Sequence, residues 1–419
     1  MSDSNGESVT YLALLKNNSN FRRVWVGEAA SWLGDWFAAI AMYTLVRDLT
    51  GSPFALGLVF VTKMLPFAVA SPLAGLLVDR FNRRRLMIAA DLLRALLVLG
   101  FLLVDSAGDL VLLYALITLQ VFLTAVFIPA RSASIPNITT PKELLTANAL
   151  SAATWSTLLA VGAALGGFAT QWFGIRAVFV IDSATFVVSA WFLYRAVIPQ
   201  RTDRSERHGI AAVLGEMVDG WRHIRRDPAI GRMIGAKAVW SLGGGGLVYM
   251  LALMGEDIAS LSAAVGIGML YGARGFGTGV GPVLLRQFLP DDSKWPLMLG
   301  LGIVGTGVTY MTIGFLPWTL GVAALVALAH APSGANWVVS TVLLQERTID
   351  EYRGRVFSTE WLLITLADSV SIVVASLLLE TDILTLRTGL LAFGALQVVC
   401  GWAWIFLVVP PERAMAEAA

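Results

Sequence analysis

Long apolar runs separated by short polar interruptions recur along the whole 419-residue chain. Twelve can be counted, at roughly 24–46, 55–77, 86–104, 110–130, 147–169, 176–196, 229–253, 262–285, 295–315, 318–344, 357–379 and 388–409. Each holds about 20 residues or more, enough for a helix to cross a hydrocarbon layer ~30 Å thick. The pattern predicts an all-α membrane protein of twelve transmembrane helices. Leu316-Pro317 predicts a tight turn between the ninth and tenth. The longest polar interruption, 198–228, divides the runs into an N-terminal half over 1–197 and a C-terminal half over 229–419, six in each. It begins as a solvated linker, Gln200 to Arg207. From Ile210 to Trp221 its apolar residues fall at helical spacing, which predicts an amphipathic helix along the membrane surface.

Composition supports the pattern: 57% of residues are hydrophobic and 14% charged, against about 45–50% and 25% in soluble domains. Net charge is +1, so nothing points to nucleic acid or another polyanion as a partner. The single cysteine, Cys400, excludes a disulfide within the chain. The polar N-terminus lacks the layout of a cleaved leader, so the first run is expected to stay as an anchor. With both termini inside, the inner segments carry 23 of the 30 lysines and arginines and the outer loops three, Arg47, Arg176 and Arg387. That bias predicts cytoplasmic termini. Ile135–Leu144 and Leu343–Tyr352 occupy equivalent loops 208 residues apart, which suggests a duplicated half. Two such halves packed face to face would enclose a cavity at the membrane midplane.

One polar hop is unusually dense. Gly75-Leu76-Leu77-Val78-Asp79-Arg80-Phe81-Asn82-Arg83-Arg84-Arg85 places one acid and four arginines between two apolar runs. The stretch resembles the loop 2–3 signature of the major facilitator superfamily, G-x-L-x-D-R-x-G-R-R, with Asn82 at the usual glycine. Asn tolerates left-handed backbone, so the turn is expected to survive. The resemblance spans the chain and is similar in detail to the drug and siderophore exporter branch that contains enterobactin and macrolide efflux proteins. The residues carrying it are Gly34-Asp35, Asp91 to Arg94, Pro129-Ala130-Arg131, Ala147 to Leu150, Asp182, Leu344-Gln345 and Arg353 to Phe357. It implies a cytoplasmic gate made by Gly75, Asp79, Arg80, Arg83 and Arg84, with Asp79 against the positive end of the eleventh helix. Asp91, Arg94 and Glu360 fit the same gate network. Latching that gate favours an outward-facing state.

Ionisable residues inside the runs are candidates for function, because a charge there is costly. Asp35 is the first choice for proton coupling, with His330 and Asp368 after it. Glu28, Lys63, Lys237, Arg274 and Trp337 are candidates for the substrate cavity. Each also has a plain structural reading: Asp35 and Lys63 as a static pair, His330 as a hydrogen-bonded packing residue. Gly162 to Gly167 resembles an antiporter signature, with Ala163 in place of proline, and also suits simple helix contact. Gly243 to Gly246 is expected to bend or unwind the seventh helix, close packing being the alternative.

No phosphate-binding G-x-x-x-x-G-K-[ST] loop is present, and His208, His223 and His330 are scattered, so neither ATP, a metal nor any other cofactor is implied. An enzyme is not expected. The reading is a monomeric multi-pass transporter in a bacterial inner membrane, in contact with lipid, exporting a small organic molecule in exchange for protons. The same architecture would also suit a lysophospholipid flippase or a metal-complex exporter. A non-transporting receptor or scaffold is the alternative of another class.

Overall fold

Local chemistry sets where the helices start and stop. The computed structural model describes residues 9–200, 210–258, 261–288 and 292–418. At 71–73, 75, 76, 79, 210–214, 216, 217, 286, 292, 350, 351, 416 and 418 it describes the backbone alone. The first half contains α1 (Tyr11–Asn17), α2 (Ser19–Thr50), α3 (Pro53–Arg80), α4 (Arg83–Gly100), α5 (Leu110–Ile138), α6 (Pro141–Phe173) and α7 (Ile175–Arg195). The connection carries α8 (Ile210–Arg226), preceded by a linker whose residues 201–207 lie outside the described residues. The second half contains α9 (Pro228–Glu256), α10 (Ala263–Phe288), α11 (Trp295–Phe315), α12 (Val322–Arg347), α13 (Asp350–Glu380), α14 (Leu386–Leu407) and α15 (Val409–Ala418).

The side chains of Asn18, Ser52, Asn82 and Asp227 each accept a first-turn N–H, capping α2, α3, α4 and α9. Such caps contribute about 1 kcal/mol apiece. Pro53, Pro141 and Pro228 sit where a missing N–H costs nothing. Gly51 closes α2 at φ 62°, a left-handed cap that suits glycine.

Among the described residues all regular structure is helical. Ten helices among the described residues are long and apolar enough to cross a membrane. α2 and α10 are also long, at 32 and 26 residues, but less apolar. α2 carries Glu28 and Asp35, and α10 carries Arg274 among its glycines. The starts of α2 to α7 precede those of α9 to α14 by 209 to 212 residues, so the helical order repeats.

One end of the bundle, the terminal end, gathers the first and last described helices, α1 and α15. There Val9 accepts from Thr146, Arg23 donates to the Arg195 carbonyl, and Glu412 bridges Arg232 and Arg347. At the opposite, far end a single apolar core draws on both halves: Ile40, Val46, Leu56 and Phe179 from the first, Leu247, Met250, Ile267 and Phe393 from the second. Toward the terminal end this core splits. Leu14, Phe21, Met87 and Leu193 form a cluster within the first half, and Ile230, Met233, Leu299 and Val356 form another within the second. The halves are therefore joined at the far end, along α6–α10 and α3–α13. The expected terminal-end latch would have put the junction at the other end.

Three further expectations change. Asn82 is not left-handed: at φ −65° and ψ 114° it is an extended N-cap whose side chain accepts the Arg85 N–H. Gly243 to Gly246 do not unwind α9, which runs through them unbroken. A Cβ on Gly243 would lie 3.0 Å from the Phe393 carbonyl, and one on Gly245 3.0 Å from Asp368, so these glycines admit α14 and α13 instead. The turn after α11 is longer than Leu316-Pro317, because Trp318 folds back to donate to the Ile313 carbonyl at 3.1 Å and Arg387 covers its ring. α12 accordingly starts at Val322.

The cap at Asn82 makes a test. Asn82→Ala should lower stability by about 1 kcal/mol and Asn82→Gly by only a few tenths, read from reversible unfolding in mixed micelles. A gain with glycine would instead indicate left-handed backbone at this position.

Candidate functional site

Two arginines of the dense polar hop, Arg83 and Arg84, act on helix ends of their own half. Arg83 donates to the Ala133 carbonyl of α5 at 2.8 Å, and its backbone N–H to Gln200. Arg84 donates to the carbonyls of Leu193 and Tyr194 at the end of α7, its guanidinium over the Tyr194 ring. Cations at C-terminal carbonyls complement the helix dipole. Arg80 is exposed. The surroundings of Gly75 and of the Asp79 side chain lie outside the described residues.

Next, moving inward, each half holds a buried ionic brace. In the first, Glu28 on α2 pairs with Arg131 on α5 at 2.6 Å. Arg131 also donates to Ser151 on α6 at 2.5 Å and sits over the Trp32 ring. In the second, Lys237 on α9 pairs with Glu360 on α13 at 2.9 Å, donates to Thr341 on α12 at 2.8 Å, and faces the Trp337 ring at 4.4 Å. Glu28 and Lys237 are 209 residues apart, as are Ser151 and Glu360. The two braces thus tie equivalent helices, with acid and base exchanged. The apolar run at 110–130 stops short of Arg131, but α5 continues to Ile138 and carries it inside. Of the residues expected at the gate, Asp91 and Arg94 pair with each other on α4, the guanidinium 4.5 Å from both the Phe127 and Phe186 rings. Their described partners, like that of Glu360, lie within one half.

Deeper still stand groups without ion-pair partners among the described residues. Asp35 on α2 and Lys63 on α3 are half-buried and do not form the static pair. Asp35 feels the charges of Arg94 and Lys63, and Lys63 those of Asp35 and Asp182. Asp182 on α7 is fully buried beside Gly34 and Thr185. Across the interior, Arg274 on α10 has no acid paired to it, and its Nε is buried without a partner. Asp368 on α13 is buried within reach of Ser241 and of the Arg274 charge. His330 on α12 is fully packed, with Nε2 2.7 Å from the Tyr310 hydroxyl of α11. It sits inside the second half, beside Trp240.

The far end closes over these groups. Tyr43 of α2 stacks on Phe60 of α3 at 4.6 Å and tilts against Tyr271 of α10 at 5.7 Å. Tyr249 of α9 meets Phe60 edge-on and donates to the Pro53 carbonyl at 2.6 Å. Above this aromatic roof, Arg47 at the end of α2 forms a two-pronged pair with Glu256 at the end of α9. Glu380, the last residue of α13, accepts from Ser52 Oγ at 2.7 Å and Phe54 N at 3.0 Å, so it caps α3 from the other half. The pattern of apolar runs gives little sign of Phe60, Tyr271, Glu256 or Glu380. The 209-residue offset between Arg47 and Glu256 was the available signal.

A sequence profile described as the Major Facilitator Superfamily matches residues 24–363. The chain is 26% identical over 406 residues to the uncharacterized MFS-type transporter YfiS of Bacillus subtilis, covering 93% of each. It is 25% identical over 373 residues to macrolide efflux protein A of Streptococcus pyogenes, covering 85% of this chain and 88% of that one. Among solved structures, the peptide transporter POT superposes with a TM-score of 0.76 over 98% of each chain at 12% identity, a likeness of fold alone.

The second brace generates an expectation. Glu360→Gln leaves the Lys237 ammonium buried without its acid and should destabilise the bundle by about 3–5 kcal/mol. Replacing both, Lys237→Met with Glu360→Leu, should recover most of that loss. Equal losses in the single and double variants would show that the pair braces nothing.

Proposed function

We propose that this chain, which belongs to the Major Facilitator Superfamily, exports a small organic molecule across a bacterial plasma membrane by proton antiport and alternating access. It is a multi-pass membrane protein with relatives named for efflux. The lysine and arginine bias makes the terminal end cytoplasmic. With that orientation, the shared far-end core and the separate terminal-end cores support a state whose interior opens to the cytoplasm. A drug-like compound or siderophore would enter there.

Asp35 carries the coupling. It is half-buried in the middle of α2, answered by no ion pair among the described residues, and within the field of two cations. A carboxylate so placed can take a proton from one side and release it to the other as the bundle rocks. One proton moving through ~150 mV releases about 3.5 kcal/mol, enough for a gradient of a few hundredfold. Asp368, buried on α13, is the second acid suited to this role. His330 is the least suited of the three, since its ring already bonds Tyr310.

α3 and α13 offer a switch between the two states. In the described state Glu380 at the end of α13 caps the start of α3. In the alternate state Asp79, at the end of α3, takes the equivalent place at the start of α13, with Arg80, Arg83 and Arg84 beside it. An acid on a helix N-terminus serves as the latch in both.

Reconstituted protein under an imposed pH gradient tests the coupling. Asp35→Asn should abolish uphill export of a substrate found by growth protection in a pump-deficient host, while downhill exchange continues. Normal pumping by the variant would remove Asp35 from the mechanism.

A further inference from the structure

We propose that the transported molecule is an organic anion with a flat apolar body, and that Lys63 and Arg274 hold its charge jointly from the two halves. The inference rests on the transport reading above and names the chemistry of its cargo.

Position comes first. Phe60 of α3 and Tyr271 of α10 face each other in the aromatic roof, with ring centres 6.5 Å apart. Lys63 and Arg274 each follow a roof residue by three positions, and side chains three apart share a helix face. Both helices run from the far end toward the terminal end. At 1.5 Å per residue, Lys63 and Arg274 therefore stand about 4.5 Å beneath the roof, on helices of opposite halves. The charge of Arg274 is felt by Tyr43, which lies in the same roof on α2.

Charge comes second. A cation in an apolar bundle is stable only when paired or hydrated, and elsewhere this chain follows that rule. Arg94 has Asp91, Arg131 has Glu28, and Lys237 has Glu360. Lys63 and Arg274 are the exceptions among the spans' interior cations. Neither ion-pairs nor donates a hydrogen bond to any described residue, and Arg274 Nε is a buried orphan. Asp35 and Asp182 act on Lys63, and Asp368 on Arg274, only from beyond ion-pair distance. Asp35 sits eight residues below Tyr43, about 12 Å beneath the roof and hence lower than Lys63.

The missing partner is thus an anion set between the two cations. Its apolar body would lie beneath the packed rings of Tyr43, Phe60 and Tyr271, whose edges close the space above it. A carboxylate suits both ends: guanidinium takes two oxygens in a fork, and the ammonium adds a point charge from the opposite half. Because the two cations belong to different halves, the bound anion also draws those halves together.

Thermal stabilisation and binding of the full chain in nanodiscs can be followed with 2-naphthoate, 2-naphthamide, 2-naphthyltrimethylammonium and inorganic phosphate. The naphthoate should bind, the amide and the ammonium at least tenfold more weakly. Arg274→Gln and Lys63→Gln should each weaken naphthoate binding roughly ten- to hundredfold, as for loss of a hydrogen bond to a charged group. Arg274→Lys and Lys63→Arg should restore most of it, which separates charge recognition from misfolding. Equal response to the three naphthyl probes, or naphthoate binding that survives both glutamine variants, overturns the proposal. Phosphate binding as tightly as naphthoate overturns the organic part. If naphthoate binds as expected but no pH gradient moves it, the site stands and the export reading falls. If Arg274→Gln still exports a neutral or cationic compound uphill, export stands and this inference falls.

Discussion

A charge inside an apolar bundle must be answered by an opposite charge, by water or by a ligand, because desolvation alone costs several kcal/mol. That constraint sorts the ionisable residues of this chain into two sets. Asp91–Arg94, Glu28–Arg131 and Lys237–Glu360 answer one another at contact distance, each within its own half. Glu28–Arg131 and Lys237–Glu360 each tie separate helices of one half together. Asp35, Lys63 and Arg274 have no ion-pair partner among the described residues. The division is spatial as well as chemical. The braces lie toward the terminal end, where the cores are separate, and the unanswered groups lie under the far-end roof, where the halves meet.

Closure at the far end depends on close backbone approach. A Cβ added to Gly167 of α6 would lie 2.5 Å from the Ala264 carbonyl of α10, and one on Gly268 of α10 2.6 Å from the Ala163 carbonyl. Small residues on both helices let α6 and α10 meet along a line that leaves no side chain between them. The antiporter-like glycine run of α6 therefore has a contact to explain it, and Gly166 makes a similar approach to Phe37 of α2. Such a seam rests on backbone approach and not on interdigitated side chains. The polar contacts above it, Arg47–Glu256 and the Glu380 cap, supply directional bonds that the smooth seam lacks.

Much of this was legible before any coordinates. Apolar runs announced the helices, since hydrocarbon demands about 20 residues whatever their identity. The cost of buried charge singled out Asp35, Lys63, Lys237 and Arg274. Pairing was the illegible part, because it depends on helix rotation, which apolar runs do not encode. Asp35 and Lys63 look like partners by depth but sit at different heights. Lys237 and Glu360 were assigned to different tasks and are bonded to each other. Arg131 was hidden by a boundary error of a few residues: a helix continuing through Pro129 and Pro136 keeps it inside the bundle. Asn82 misled for another reason. Asparagine serves both left-handed turns and helix N-caps, and only the backbone angles decide between them.

The repeat itself explains why likeness between the halves does not reveal the far-end lock. Arg47 and Glu256 occupy equivalent positions in the two halves and contact each other, so they lie on the approximate two-fold axis relating those halves. At such an axis a residue meets its own counterpart. Two arginines would repel there, and so would two glutamates. A duplicated chain can place an ion pair on its axis only by letting the copies diverge to opposite charge. The braces show the same inversion, Glu28 against Lys237, although off the axis nothing requires it. Likeness between repeats therefore marks where the halves pack alike, and opposition of charge at matched positions marks where they can hold one another. The second signal therefore marks contacts between the halves that the first passes over.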